Sequence, residues 1–454
     1  MASKSVNPAT GQTVKIVETW NETQLDQALA EVAAATPAWA ALDFATRADH
    51  LRRAATVLRA RTDDLARTIS LEMGKLIGEA RAEIDKCAWV CDYYAEHAAR
   101  FLADEVIDSD AGRSLVAYQP LGTVLAVMPW NFPFWQVFRF AAPALMAGNT
   151  GVLKHASNVP GCALAIEEVF VEAGLPKGVF RTLMIPAGRV NRVIEDKRIH
   201  AVTLTGSEPA GRAVAAAAGA QIKKTVLELG GSDPFIVLDD ADLDLAVGNA
   251  VKSRFLNAGQ SCIAAKRFIV VDAIADDFVA RFKTETEKLM PGDPLKDGTT
   301  LAPMARVDLR DELHQQVVDS ILKGAVAVTG CTPIAGEGAY YQASILDKVV
   351  PGTRAYHEEF FGPVALVIRA KDEADAVRIA NDSPFGLGGS VWTRDSARGE
   401  RVARQVQSGA VFVNGMVKSD PRLPFGGVKR SGYGRELSLH GIREFVNVKT
   451  IWIR

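Results

Sequence analysis

The sequence predicts an α/β protein built on two mainly parallel sheets. Three observations predict it: strand-like and helix-like segments alternate from Leu115 to Leu229, the alternation restarts beyond Gly230-Gly231 and continues to about Ser408, and a long helical stretch precedes both. At 454 residues the chain is long enough to bury large cores. A hydrophobic content of 48%, 23% charged residues and a net charge of -2 describe an ordinary globular protein, with no basic bias towards nucleic acid.

Taken in order, residues 22–102 are rich in Ala, Leu, Arg and Glu at helical spacing, opened by the cap candidate Asn21. Residues 115–118 and 124–128 predict strands, the second running into Pro129-Trp130-Asn131-Phe132-Pro133. A helix over 134–145, a strand over 150–153, a helix over 161–172, a strand over 180–184, a short helix over 190–196 and a strand over 201–205 follow. The turn from Gly206 to Gly211 then opens a helix over 212–218, and a strand over 224–229 closes the first half. The second half predicts a helix over 243–255, a strand over 268–271 and a helix over 276–289. Near the C-terminus, 411–415 reads as strand and 424–427 as glycine loop, while the apolar tail 446–453 reads as an edge strand that needs a partner, from another subunit or from the same chain.

Residues 114–138 carry no charge over 25 positions, long enough to span a bilayer, but Pro120, Pro129 and Pro133 would leave backbone groups unpaired in lipid. The stretch therefore reads as buried strand and loop, with no membrane span. MASKSVNPATG lacks the apolar core of a signal peptide, which predicts a cytoplasmic protein. Cys87, Cys91, Cys162, Cys262 and Cys331 show no paired CxxC spacing, which argues against a disulfide framework and against a metal site.

Among these cysteines Cys262 stands apart. It follows Asn257-Ala258-Gly259-Gln260-Ser261 at the entrance to a strand, where a loop tip can present sulfur to a substrate; packing as a small hydrophobe is the competing reading. Glu228 ends an apolar strand, where burial raises a carboxyl towards the range of a general base, or where it has a structural partner. Asn131, between aromatics and prolines, is a rigidly placed amide suited to an oxyanion or simply to a turn. Gly206-Ser207 to Gly211 can offer backbone N–H groups to phosphate, although the three-glycine GxGxxG spacing is absent. Lys154 ends a neighbouring strand, where doubly wound sheets bind nucleotides.

Together, Pro-Trp-Asn131-Phe-Pro, Leu-Lys154, Thr-Gly206-Ser207, Leu-Glu228-Leu-Gly-Gly, Gly-Gln-Ser-Cys262, Glu-Glu359-Phe-Phe361-Gly-Pro and Pro-Phe-Gly-Gly-Val-Lys-Arg-Ser-Gly-Tyr-Gly-Arg-Glu occur in the order found in the aldehyde dehydrogenase superfamily. The chain resembles that family along nearly its whole length. The resemblance implies a Rossmann-like cofactor domain (1–104 and 120–230), an α/β catalytic domain (231–410), a small β oligomerisation arm (105–119 and 437–454) and a return segment (411–436). It implies that Cys262 attacks an aldehyde as thiolate, that Asn131 and the Cys262 N–H hold the oxyanion, and that Glu228 activates water against the thioester. A free thiol is only roughly 10% ionised at pH 7.5, so such a site is expected to lower the pKa of Cys262. Lys154 and Glu359 would hold the two riboses, Ser207 the pyrophosphate and Phe361 the nicotinamide, with Trp130, Gly206, Gly211 and Leu229 completing the cofactor cleft. A homodimer or homotetramer acting on a small aldehyde is implied, with no resident metal.

Two local features narrow this. NAD-restricted members often carry Glu three residues after the lysine; here that position is Ser157, which neither repels nor neutralises a 2′-phosphate, so NADP is accepted and NAD remains open. Phe132, Gln136 and Arg139 fall on one helical face leading from Asn131, a pattern similar to the bacterial succinate-semialdehyde dehydrogenase branch, where arginine meets the distal carboxylate; a structural salt bridge is the competing reading of Arg139. Ser261 is expected to line the same pocket. Leu256 stands where some members of that activity class have a second arginine, and Lys418 or Arg422 is the expected substitute. The expected function is oxidation of succinate semialdehyde or a related short ω-carboxy aldehyde. The rivals are a broad-range aldehyde dehydrogenase, a CoA-acylating enzyme, a cysteine hydrolase and a catalytically silent binding protein of the same fold.

Overall fold

The computed structural model describes residues 2–454. The N-terminal layer consists of the helices Glu22–Ala40, Phe44–Ala60, Thr62–Met73 and Ile77–Phe101. Its start is set locally: the Asn21 side chain accepts from Gln24 N at 2.9 Å, and Gln24 returns a bond to Asn21 N at 3.0 Å. Asp43 caps the next helix through Thr46 N at 2.7 Å. Gly74 ends the third helix at φ +83°, a left-handed conformation that a side chain resists.

A six-stranded sheet has the order Gly432–Tyr433, Lys224–Glu228, Ala201–Thr205, Thr123–Met128, Thr150–His155 and Phe180–Thr182. Every pair is parallel except that of Gly432–Tyr433 with Lys224–Glu228. The register sets Val127 beside Lys154 and Thr205 beside Glu228, so the candidate residues fall at the carboxyl ends of the strands, where open α/β sheets bind ligands. A seven-stranded sheet has the order Val326–Thr329, Ser344–Asp347, Val364–Ala370, Ala265–Val271, Asp233–Val237, Ser390–Trp392 and Phe412–Val413, with only Val326–Thr329 antiparallel. The strand Ala265–Val271 is buried throughout, which suits a central strand covered on both faces.

The tail Val446–Ile453 finds its partner in the same chain. It pairs antiparallel with Arg113–Pro120 along its whole length, from Val446 opposite Pro120 to Ile453 opposite Arg113, and Glu105–Ile107 adds a third strand. Val106, Val448 and Trp452 of this small sheet remain exposed.

Three elements depart from the sequence expectation. A hairpin of Ala2–Val6 with Thr13–Glu18 precedes the helical layer, and the strand Asp233–Val237 directly follows the Gly-Gly pair. The helix after Ser207 starts at Glu208 and includes Pro209 and Gly211: proline is at home in the first turn, and a Cβ on Gly211 would stand 2.6 Å from the Leu229 side chain. Among the described residues, no helix is long and apolar enough to cross a membrane.

Asn149 ties the first sheet to the tail: its carbonyl oxygen accepts from Gly122 N and its amide donates to Phe445 O, each at 3.0 Å, and its side chain is fully buried. Asn149→Ala strands the Gly122 N–H, so a stability loss of about 1 to 3 kcal/mol is expected as a lower urea midpoint at unchanged slope.

Candidate active site

The loop before Cys262 folds tightly. Asn257, Ala258 and Gly259 take φ of 54°, 50° and 71° in succession, left-handed values that cost energy for the two residues bearing side chains. The Arg254 guanidinium fills the inside of this coil, donating to Gly259 O at 2.7 Å, Gly362 O at 2.6 Å and Ala265 O at 2.9 Å. A Cβ on Gly259 would collide with both Arg254 and the Gly362 carbonyl, so only glycine fits. Arg254 meets carbonyls and no carboxylate, and burial pulls its pKa down to about 9. Outside the coil, Asn257 N donates to the Glu79 carboxylate at 3.1 Å, a group that burial pushes up to about 7.

Asn131 is buried and fully oriented. Its amide Nδ2 donates to Gln260 O at 3.1 Å, and its Oδ1 accepts from Gln136 Nε2 at 3.1 Å. Its backbone carbonyl accepts from Lys75 Nζ and from Asn257 Nδ2, both at 2.9 Å. Lys75 is wholly buried, paired with Glu83 and set 3.7 Å from the centroid of the Phe132 ring. The other oxygen of Glu83 accepts from Phe134 N at 2.9 Å and Trp135 N at 3.0 Å, where the helix Trp135–Met146 begins. One buried ion pair thus fixes both the Asn131 loop and the helix that follows it.

Cys262 lines a cavity of about 390 Å³ together with Phe132, Gln136, Arg139 and Ser261. Burial pushes its thiol up to about 12; Lys266 and Arg139 pull it down, Glu359 and Asp233 push it up further. The expected lowering is therefore not met in the protein alone, because loss of water at the sulfur outweighs the two nearby cations. Lys266, itself fully buried, donates to Ser261 O and Cys262 O at 2.7 Å and pairs with Glu359 at 3.0 Å, which also accepts from Gly231 N at 3.1 Å.

Glu228 is 2% exposed and neither carboxyl oxygen has a protein partner. Burial first, then the neighbouring Glu436, raise its pKa well above the ordinary range. It is absent from the cavity lining: a Cβ on Gly426 would stand 2.7 Å from its Oε1, so the carboxyl faces the glycine loop. Arg139 forms a buried ion pair with Glu436 and lies 4.5 Å from the centroid of Phe425. Arg422 is bound to Asp420 at 2.6 Å, rests against Trp89 and does not line the cavity.

Trp130 and Phe361 meet edge to face with centroids 5.9 Å apart, and a Cβ on Gly230 would collide with Glu359. Leu229 packs under Gly211. Ser207 stands at the N-cap of the 13-residue helix Glu208–Ala220 without a side-chain cap bond, leaving first-turn N–H groups open to an anion. Lys154 is 8% exposed, its pKa lowered by burial, and it has no hydrogen bond or ion pair to the protein among the described residues; Ser157, three residues on, is exposed. A buried ammonium without a counter-ion among the described residues and an open helix N-terminus, at the carboxyl ends of two strands of one sheet, fit a phosphate-bearing dinucleotide. Lys75, Glu83, Arg254 and Lys266 escaped the sequence reading; the one signal was the Lys266-Arg267 pair inside an apolar strand.

Residues 2–451 match the family described as "Aldehyde dehydrogenase family". The chain is 52% identical over 453 residues to a probable succinate-semialdehyde dehydrogenase (NADP+) of Synechocystis sp., covering 100% of each chain. It is 50% identical to succinate-semialdehyde dehydrogenase (NADP+) 1 of Mycobacterium ulcerans, again over 100% of each. Among solved structures, succinic semialdehyde dehydrogenase from Streptococcus pyogenes in complex with NADP+ superposes with a TM-score of 0.98 at 38% identity, covering 100% of both chains.

Two outcomes follow from this geometry. Lys75→Met removes the counter-ion of the buried Glu83, and a loss of about 3 to 5 kcal/mol is expected in denaturant titration. With its thiol near 12, cofactor-free Cys262 is expected to be alkylated slowly at neutral pH, at a rate rising about tenfold per pH unit without a plateau below pH 9, as read by peptide mass spectrometry.

Proposed function

The chain belongs to the aldehyde dehydrogenase family, and on that premise we propose that it oxidises succinate semialdehyde to succinate with NADP+ as the preferred acceptor. The observation that carries the substrate is a single cavity joining Cys262 to the cationic side chains of Lys86 and Arg139. It matches an aldehyde at one end and a carboxylate at the other. The full-length relatives at 50–52% identity support the same reading.

In the proposed reaction the Cys262 thiol gives up its proton to water, Sγ attacks the carbonyl carbon as thiolate, and the carbonyl π electrons move to oxygen. Asn131 has one amide hydrogen engaged by Gln260 O and the other left to donate to this oxyanion, beside the Cys262 N–H. When bound, the nicotinamide cofactor accepts the hydrogen and two electrons given up by the former aldehyde carbon, which leaves a thioester on Cys262. Glu228 takes a proton from the water that attacks this thioester, and the C–S bond breaks to release the acid and the thiolate. For this the Glu228 carboxyl turns from the Gly426 side towards Cys262, a movement that its two unbonded oxygens do not oppose.

Lys154 and Ser157 would hold the adenosine ribose and its 2′-phosphate, Ser207 and the first helical turn the pyrophosphate, Glu359 the second ribose, and Phe361 would pack against the nicotinamide ring. No carboxylate stands at Ser157 to repel a 2′-phosphate. Residues 1–104 and 120–230 would form the cofactor domain, 231–410 the catalytic domain, and 105–119 with 437–454 the arm. The exposed Val106, Val448 and Trp452 on that arm support a homodimer or homotetramer, and five free thiols suit a reducing cytoplasm. One feature favours a broad-range aldehyde dehydrogenase instead: the charge of Arg139 is shared with Glu436.

A panel of succinate semialdehyde, butyraldehyde and benzaldehyde with both cofactors tests the reading. The highest kcat/KM is expected for succinate semialdehyde with NADP+, and equal use of all three would overturn the substrate. Ser157→Glu is expected to shift the NADP+ to NAD+ ratio of kcat/KM by about tenfold or more towards NAD+, through repulsion of the phosphate. Asn131→Ala is expected to lower kcat by about 10² to 10³.

A further inference from the structure

Three cations line the cavity of Cys262, and they differ in what they have left to give. Arg139 is committed to Glu436 in a buried pair and covered by Phe425. Lys418 is exposed. Lys86 lies between these extremes. Its ammonium sits 4.3 Å from the centroid of the Trp135 ring and donates to Ser419 Oγ at 2.8 Å, and among the described residues it has no carboxylate within ion-pair distance. The two acids that act on it are engaged elsewhere: Glu83 with Lys75 and the Phe134 and Trp135 N–H groups, Asp420 with Arg422. Burial draws the pKa of Lys86 down to about 8, as expected for an ammonium lacking a counter-ion.

Ser419 completes the site. Its buried Oγ accepts from Lys86 Nζ and also from Trp135 Nε1, at 3.0 Å. A hydroxyl oxygen has two acceptor sites and one proton, so both acceptor sites are filled and the proton remains to be donated. No protein acceptor receives it among the described residues, and Ser419 lines the same cavity. An ammonium without a counter-ion beside a hydroxyl obliged to donate is a receptor for an anion. Arg139 lies near both this corner and the nucleophile: it lines the same cavity, and its charge acts on both Lys86 and the Cys262 thiol.

We propose that the distal carboxylate of the substrate is bound by the Lys86 ammonium and the Ser419 hydroxyl, against the Trp135 ring, and that Arg139 shapes the wall between this subsite and Cys262. The assignment rests on the succinate-semialdehyde reading. It gives the carboxylate a partner on the helix Ile77–Phe101, which compensates for the apolar Leu256.

The test is the ratio of kcat/KM for succinate semialdehyde to that for butyraldehyde, measured in wild type, Lys86→Met, Lys86→Arg and Ser419→Ala. Lys86→Met is expected to lower the ratio by about 10 to 100-fold through KM for the semialdehyde, Lys86→Arg to restore it to within about threefold, and Ser419→Ala to lower it by about tenfold. If Lys86→Met does not fold, Ser419→Ala, which removes one hydroxyl, carries the test. A wild type that favours the semialdehyde and variants that keep that preference would overturn the Lys86 subsite alone. A wild type without any preference would overturn the substrate reading and the subsite with it.

Discussion

Three side-chain amides, those of Asn131, Asn257 and Gln260, carry the constraint on which the site depends. The amides of Asn131 and Asn257 both donate to Gln260 O, Asn257 also donates to Asn131 O, and Gln260 closes the ring onto Asn257 O. The knot joins the loop after the central strand of the first sheet to the loop before the central strand of the second. Neither Asn131 nor Cys262 can shift without breaking bonds in a buried setting, where an unpaired amide costs about 1 to 3 kcal/mol. Strain in the left-handed run at Asn257 and Ala258 is held by the same bonds and by Arg254.

Charge around this knot is managed by pairing. Lys75 meets Glu83, Lys266 meets Glu359, and Arg139 meets Glu436, all partly or wholly out of water. The reacting groups themselves are left unpaired. Burial raises the pKa of both Cys262 and Glu228. Reactivity then depends on what enters the cavity, and a raised thiol pKa lowers the fraction of thiolate open to oxidation.

Much of this was legible in the sequence. Strand and helix alternation located the first sheet because buried parallel strands read as apolar runs, and Ala201–Thr205 and Leu243–Phe255 have the bounds that periodicity predicts. The hairpin Ala2–Val6 with Thr13–Glu18 was not legible, because the second strand is almost wholly exposed and has no clean alternation. At the site, Cys262, Asn131, Gln136 and Arg139 announced themselves by local company. Glu436, which neutralises Arg139, and Lys86, which is left without a counter-ion, did not: both roles arise from contacts hundreds of positions apart in the chain. A charged residue on a helix reads the same whether its ion pair is made or missing.

The central claim is that oxidation proceeds through an acyl group held on Cys262. Acid quenching within the first turnover of succinate semialdehyde and NADP+, followed by peptide mass spectrometry, tests it most directly. The account predicts a succinyl thioester on the Cys262 peptide alone, accumulating when Glu228 is replaced by Gln. Formation of NADPH without an adduct on that peptide, or with the acyl group on another residue, would contradict it.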